Sequence, residues 1–229
     1  MKQLDKTQID YIKNYILKKG IRYVDVQMEI LDHVASAVEE KMGSNESLTL
    51  DQALKEVHQS FGIFGFSSLE DAIVNGMNKK YNSIFWANFR SFFDFKYLTL
   101  LLLTGILFYK LINFVGNSDV VLTITLILIL ALTGFVIISN LLNRTYNKFL
   151  AFRVSASYFG FIGSFFLIFK MILKDMPNIE YLGININVFL ITILMLALAI
   201  YVISGVKTAR LGKRESRLLM GKYKILDQV

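Results

Sequence analysis

The residues best able to do chemistry in this chain lie on one predicted helix near the N-terminus. Glu29 and His33 are four positions apart, so they share a helix face, and Asp32 lies beside them. This spacing can hold a divalent metal ion. One helix supplies only two or three ligands, however, and no second cluster of such residues completes the site. We therefore interpret this face as a solvated ion pair, and we predict no metal site and no cofactor.

The sequence lacks the motifs of the common catalytic sites. It has no cysteine, which excludes a thiolate nucleophile, a disulfide and a cysteine-based metal site. It has no GxSxG elbow, HExxH motif, phosphate-binding loop or dinucleotide-binding glycine motif. The two glycines in the stretch 61–66 fit a helix-ending turn. We predict that the protein is not an enzyme.

A long apolar region dominates the second half of the chain. Uncharged runs reach 24 residues in Val120–Asn143 and 26 residues in Tyr181–Val206. About 20 apolar residues cross a hydrocarbon core of roughly 30 Å. The sequence therefore predicts an all-α protein, with a small cytoplasmic helical bundle followed by a four-helix transmembrane region. The predicted spans are Lys96–Asn113, Val120–Leu142, Phe152–Leu173 and Gly183–Val206.

The distribution of charge predicts the orientation of these spans. Residues 1–82 contain ten Lys/Arg and twelve Asp/Glu, a charge of −2, whereas residues 83–229 contain fifteen and six, a charge of +9. The basic residues flank the spans on one side, as cytoplasmic loops do, so they indicate topology and lipid contact rather than nucleic-acid binding. With no signal-peptide pattern in the first residues, we predict a bacterial inner-membrane protein with both termini in the cytoplasm. Lys110 and Lys170 are interpreted as anchors that reach the outer headgroups.

The first 80 residues read as four short amphipathic helices. The first begins near Thr7 and buries Ile9, Ile12 and Ile16. The second runs from about Asp25 to Met42. The third and fourth open with capping-box spacing, in Thr49–Gln52 and in Ser67–Glu70. No segment alternates with period two, so no strand is predicted. We expect residues 1–80 to fold on their own as one cytoplasmic bundle.

Two segments next to the spans are predicted to touch lipid. Residues 81–96 place aromatic side chains opposite polar ones, which suits an interfacial elbow helix; an early start of the first span is the alternative. The tail, 207–229, is basic and is either a lipid-bound helix, a docking segment or the topology-fixing end of the last span. The residues predicted to contact headgroups are Trp86, Arg90, Lys207, Arg210, Lys213, Arg214 and Arg217.

Small residues in the third predicted span form a candidate packing face. Ala156, Gly160 and Ser164 are four apart, with Gly163 beside them, a pattern that lets helices approach closely. Whether the facing helix belongs to this chain or to another subunit, including a second copy, stays open. The apolar runs contain no Asp, Glu or His at mid-membrane depth and no proline, so the pattern does not favour a transporter.

The bundle resembles the HAAS-type α-helical signalling domains of bacterial membrane proteins. The similar stretches are Glu29–Glu40 (EILDHVASAVEE) and Ser47–Gly62 (SLTLDQALKEVHQSFG), and the wider N-terminal region resembles multi-span proteins of Bacteroidetes-type bacteria. Such domains accompany PadR-like regulators or precede permease spans. The resemblance implies a regulatory or adaptor protein that docks a partner in the cytoplasm or the membrane; an accessory subunit of a transport complex is the alternative. The residues predicted to bind the partner are Glu29, Asp32, His33, Glu39 and Glu40.

Overall fold

The described part of the chain is mostly helical, as the sequence predicts. The computed structural model describes residues 3–116, 118–142, 144–161, 171 and 179–228. This part contains one hairpin and eight α-helices, which are α1 (Lys6–Lys18), α2 (Val24–Ser44), α3 (Leu50–Ser60), α4 (Phe66–Arg90), α5 (Phe95–Val115), α6 (Ser118–Leu142), α7 (Leu150–Ala156) and α8 (Ile186–Gln228). Short 3-10 segments cover Ser91–Phe93, Arg144–Lys148 and Ser157–Phe161.

One short hairpin accompanies the helices of the described part, outside the first 80 residues, for which no strand was predicted. Strand β1 (Glu180–Tyr181) pairs antiparallel with β2 (Ile184–Asn185) immediately before α8. The turn between them places Leu182 at φ 50° and Gly183 at φ 73°. Strands of two residues are too short to show an alternating pattern, so no periodicity indicates them.

The chain forms two compact units that are not contiguous in sequence. Unit 1 consists of Met1–Lys80, Thr145–Val154 and Lys213–Val229. Unit 2 consists of Tyr81–Arg144 and Ser155–Gly212. The predicted bundle, 1–80, is thus joined in unit 1 by a segment from the middle of the chain and by the C-terminal tail.

Unit 1 has an apolar core built mainly by α1, α2 and α3. Two capping boxes start its helices: Asp5 with Gln8 opens α1, and the predicted pair Thr49 and Gln52 opens α3. Ile9, which was expected in the core, is 37% exposed. The core side chains include Ile12, Ile16, Val26, Ile30, Val34, Val38, Met42, Ala53, Leu54, Val57 and Phe66, and Leu150 joins them from outside the bundle sequence.

The fourth helix does not end at residue 80, the predicted limit of the bundle. Helix α4 continues without a break to Arg90, and the chain bends only in the 3-10 segment Ser91–Phe93 before α5. The buried side chains of Tyr81 and Phe85 explain this, because they give the second half of α4 an apolar face of its own. The segment predicted as a separate elbow is therefore continuous with the fourth helix.

The apolar helices of the described part lie wholly or mostly in unit 2. Two stretches are long and apolar enough to cross a membrane, Phe95–Val115 and Ile186–Gly221, and a shorter apolar stretch covers Leu130–Ser139 of α6. Only 6% of the most apolar part of α5 is buried, against 44% for α8. A core helix of a water-soluble protein is mostly buried, so the exposed leucines of α5 support membrane association. The third predicted span, Phe152–Leu173, lies largely outside the described residues.

Close helix contacts in unit 2 occur at two glycines. A Cβ added to Gly105 would lie 3.1 Å from Cδ1 of Leu196, and one added to Gly205 would lie 3.2 Å from the ring of Phe159. The ring of Phe85 stacks on that of Tyr158, with centroids 4.3 Å apart. These contacts join α5 and the 3-10 segment after α7 to α8, and they join α4 to that 3-10 segment. Helix α8 continues without a break through the predicted span boundary at Val206.

The turn between α3 and α4 provides a stability prediction. Gly65 has φ +52°, and a Cβ there would lie 2.6 Å from Nε2 of His58. We expect Gly65→Ala to destabilise unit 1 by about 1–3 kcal/mol, because alanine is strained at this φ and clashes with the imidazole. The matched control is Gly76→Ala, where no heavy atom lies within 4 Å and helix propensity favours alanine by about 0.5–1 kcal/mol. Thermal unfolding in detergent should shift in opposite directions; equal shifts would contradict the steric argument.

Candidate functional site: Asp25 and the acidic face of α2

A buried carboxylate connects the N-terminal bundle to the middle of the chain. Asp25, in the first turn of α2, is only 4% exposed. Its Oδ1 accepts a hydrogen bond from the backbone N–H of Leu150 at 2.8 Å, and its Oδ2 accepts one from Ala151 at 2.8 Å. Oδ1 also accepts a longer bond, 3.2 Å, from the N–H of Val26. All of these residues belong to unit 1.

These hydrogen bonds cap a helix from a distant part of the chain. Leu150 and Ala151 are the first two residues of α7, and the N–H groups of a helix's first turn have no partner within the helix. A carboxylate suits that position because the N-terminal end of a helix carries partial positive charge. Asp25 therefore holds the start of α7, and with it the segment between the second and third predicted spans, against the bundle.

Burial and hydrogen bonding act in opposite directions on this carboxyl group. Loss of water raises the pKa of Asp25, the N–H donors lower it, and burial is the larger effect, so the pKa is raised above its usual value of 3.8. For an acid with a raised pKa, the folded state binds the proton more tightly than the unfolded state does. Ionisation of Asp25 therefore lowers the stability of the folded state as pH rises from about 3.8 through the raised pKa. The hydrogen bonds that Asp25 accepts from Leu150 and Ala151 offset part of this cost.

Aromatic and ionic contacts also hold the segments of unit 1 together. The guanidinium of Arg153 lies 5.9 Å from the ring centroid of Tyr23, and Nζ of Lys213 lies 5.7 Å from that of Tyr146. Such cation–π contacts contribute about 0.5–1 kcal/mol when exposed. Nζ of Lys80 forms a salt bridge of 2.8 Å with Glu215. The bundle, Thr145–Val154 and the tail thus contact one another through side chains.

Helix α2 also carries the acidic face predicted to bind a partner. The Nε2 of His33 and the Oε1 of Glu29 are 3.7 Å apart on exposed side chains, and Asp32 and Glu40 are exposed as well. Glu39 differs from the others, because its Oε1 accepts a hydrogen bond from the backbone N–H of Leu4 at 2.9 Å. The structure therefore brings four of the five predicted residues to one solvent-facing surface; we call Glu29, Asp32, His33 and Glu40 the acidic face.

No metal-binding cluster occurs in the part of the chain that the structure describes. No group of three or more His, Cys, Asp or Glu side chains is placed to hold an ion there. The second histidine, His58, lies among the rings of Tyr15 and Phe66 instead, at 5.8 and 4.8 Å between centroids. Burial and nearby Lys19 lower the pKa of His58, which favours its neutral form.

The residues predicted to contact lipid headgroups lie on α4 and α8. Trp86 is 44% exposed, and the cations are exposed except for Lys213, which is half-buried. Two of them contact rings of the chain: Lys207 lies 4.8 Å from the ring centroid of Phe92, and Lys213 contacts Tyr146 as described above. Headgroup contact stays a prediction for the whole set, which is Trp86, Arg90, Lys207, Arg210, Lys213, Arg214 and Arg217.

The predicted packing face of the third span is only partly described. Ala156 ends α7 and Gly160 lies in the following 3-10 segment, whereas Gly163 and Ser164 fall outside the described residues. A Cβ added to Gly160 would meet no heavy atom within 4 Å. The packing role of this face therefore stays a prediction, while the close approaches that the structure does contain, at Gly105 and Gly205, were not singled out from the sequence.

No protein-family model, curated protein or solved structure matches this chain. The described part is that of a helical protein with exposed apolar side chains in unit 2, and with an exposed acidic face and a buried inter-segment cap on the same helix of unit 1.

Proposed function

We propose that the protein is a non-enzymatic, membrane-integral adaptor that docks a cytoplasmic partner on the acidic face of α2. The observation that carries this proposal is the dual use of α2. Its exposed side presents three carboxylates and a histidine, and its first turn supplies the buried Asp25 that caps α7. A partner bound to the acidic face would therefore act on the helix that holds the segment between two predicted spans.

The geometry of α2 suits such coupling. Asp25 and Glu40 are 15 residues apart, about 22 Å along one α-helix. A helix whose apolar side is packed into a core moves as a rigid element, and the buried side of α2 contains Ile30, Val34 and Val38. The resemblance of the bundle to HAAS-type signalling domains is in keeping with this role, and supports a regulatory protein of the bacterial inner membrane.

We further propose four spans with both termini in the cytoplasm. The composition of unit 1 supports this topology, because one compact unit stays on one side of a membrane. Lys80 and Thr145 both belong to unit 1, as do Val154 and Lys213. The chain must then cross an even number of times between residues 81 and 144, and again between 155 and 212. Helices α5 and α6 provide two crossings, and α8 with the predicted third span provides the other two.

Cysteine labelling tests the topology cleanly, because the chain has no cysteine of its own. We expect single cysteines at Asn117 or Asn178, which lie outside the described residues, to react with an impermeant maleimide added to intact cells. Cysteines at Ser44 and Asn147, both in unit 1, should react only after lysis. Labelling of the Asn147 position from outside would contradict the proposed topology.

Charge reversal tests the docking surface. Glu29→Lys, Asp32→Lys and Glu40→Lys together should abolish co-purification of the partner while membrane insertion and thermal stability stay unchanged, since exposed substitutions usually change stability by less than about 0.5 kcal/mol. The matched control reverses Asp10, Glu46 and Asp71, which are exposed elsewhere in unit 1, and it should retain the partner. Rising salt should weaken the wild-type complex by screening. If the Glu29/Asp32/Glu40 variant retains the partner at the wild-type yield, the acidic face is solvated surface and does not bind the partner.

One observation favours the alternative, an accessory subunit of a membrane transport complex. Only 6% of the most apolar part of α5 is buried, so most of its side chains are open to lipid or to the helices of another subunit. A transport protein that co-purifies equally with the wild type and with the Glu29/Asp32/Glu40 variant would support this alternative, because its contact would then lie in the membrane.

A further inference from the structure

An apolar groove runs between α5 and α8 within unit 2. Its cavity volume is about 530 Å³, within the range of about 300–1,000 Å³ that is typical of small-molecule sites. Leu102, Gly105 and Ile106 line it from α5, and Phe189, Ile193 and Leu196 line it from α8. Gly105 gives the groove its depth, because a Cβ there would already approach Leu196 to 3.1 Å.

The groove is open along its length to the surroundings of the helices. Its wall side chains Leu102, Ile106 and Ile193 are 58%, 55% and 48% exposed. On α5 the groove extends from Leu101 to Lys110, and on α8 from Phe189 to Ile200, which is about 14 and 16 Å at helical rise. This length is about half of a hydrocarbon core of roughly 30 Å, so it matches an acyl chain of one leaflet. An occupant of the groove is therefore elongated and apolar.

The groove is lined by three polar side chains. One is Thr192, and the other two, Tyr109 and Lys110, lie together at one end. Lys110 is exposed and has no ion-pair partner among the described residues. The hydroxyl of Tyr109 accepts a hydrogen bond of 3.0 Å from the backbone N–H of Asn185. This bond fixes the position of the hydroxyl while its own proton has no acceptor in the described part of the chain. A cation and an oriented O–H donor at one end of an apolar groove are complementary to an anionic headgroup.

We propose that this groove binds one molecule of an anionic phospholipid. An acyl chain lies along the apolar walls, and the phosphate contacts the ammonium of Lys110 and the hydroxyl of Tyr109. The inference rests on the proposed membrane spanning of α5 and α8. It goes beyond the interpretation of Lys110 as a simple anchor, because an anchor needs neither a groove nor a positioned hydroxyl beside the cation.

Lipid titration of the full-length protein tests the proposal. Native mass spectrometry in mild detergent would count bound lipids as phosphatidylglycerol or phosphatidylcholine with the same acyl chains is added. We expect phosphatidylglycerol to bind about fivefold more tightly, the ratio that corresponds to about 1 kcal/mol for one cation near an anionic lipid. Lys110→Gln should remove this preference. The matched control Lys96→Gln should keep it, because Lys96 belongs to the same helix but does not line the groove.

A second variant tests the contribution of the apolar walls independently of Lys110. Gly105→Leu should fill the groove and lower binding of both lipids severalfold, with its folding checked by circular dichroism. Equal binding of the two lipids by the wild type, or equal effects of Lys110→Gln and Lys96→Gln, would overturn the proposal and leave Lys110 as an anchor only. Unchanged lipid binding by folded Gly105→Leu would also overturn it. Cysteine labelling reads the topology independently, so a failure of lipid binding is distinguishable from a failure of the proposed function.

Discussion

Replacing Asp25 with leucine is expected to detach the start of α7 from the bundle. Leucine branches at the same carbon but is larger and has no acceptor, so the buried N–H groups of Leu150 and Ala151 lose the partners they have at 2.8 Å. A buried donor left without an acceptor costs about 1–3 kcal/mol, which places the total at about 2–6 kcal/mol. Thermal unfolding in detergent should shift down accordingly, and hydrogen exchange of the segment 145–154 should accelerate.

Two further variants define what the Asp25→Leu result means. Asp32→Leu makes the same change at an exposed position of α2 and should leave both measurements unchanged. Asp25→Asn keeps one acceptor oxygen and should give an intermediate effect. If the backbone amides of the segment 145–154 exchange hydrogen in Asp25→Leu at the wild-type rate, the carboxylate does not hold α7.

Placing a carboxylate at Val34 is expected to unfold unit 1. Val34 is 0% exposed in the middle of α2, and its neighbours in the core are apolar side chains that cannot pair with a charge. Burial of an unpaired charge is among the few mechanisms that cost more than about 4 kcal/mol. We expect Val34→Asp in the full-length chain to lose the cooperative thermal transition of unit 1, measured by circular dichroism.

A neighbouring position supplies the control for Val34→Asp. Ser36 is exposed on the same helix, so Ser36→Asp adds the same charge without burying it and should unfold at the wild-type temperature. A cooperative wild-type transition in Val34→Asp would mean that the core is not the one described. The prediction that residues 1–80 fold alone remains to be tested, and such a fragment would lack both Leu150 and the two N–H partners of Asp25.

The local features of unit 1 could be predicted from the sequence because each depends on residues a few positions apart. The box of Thr49 and Gln52 and the buried line of Ile30, Val34 and Val38 follow from spacing within one helix. The contact between Asp25 and Leu150 could not be predicted, because 125 residues separate the two and no local pattern links them. The one available signal was an acidic residue between two valines, Val24 and Val26, at the start of an apolar helix.

The length of the fourth helix could not be predicted from its end signals alone. The first segment of unit 1 ends at Lys80, where the bundle was predicted to end, but Tyr81 and Phe85 are buried and α4 continues to Arg90. For the candidate site, helical periodicity correctly placed Glu29 and His33 on one exposed face. It could not show that Glu39 is engaged by the N–H of Leu4, since that contact is between separate segments.

Photo-crosslinking from the acidic face tests the central claim most directly. A photoreactive amino acid replaces Asp32 on the acidic face, or Gln59, which is exposed on α3 of the same unit, in the full-length protein in growing cells. The account predicts a discrete protein adduct from the Asp32 position, its loss when Glu29→Lys and Glu40→Lys are added, and none from the Gln59 position. Equal adducts from the two positions, or none from Asp32 in cells that insert the protein normally, would contradict a docking function of the acidic face.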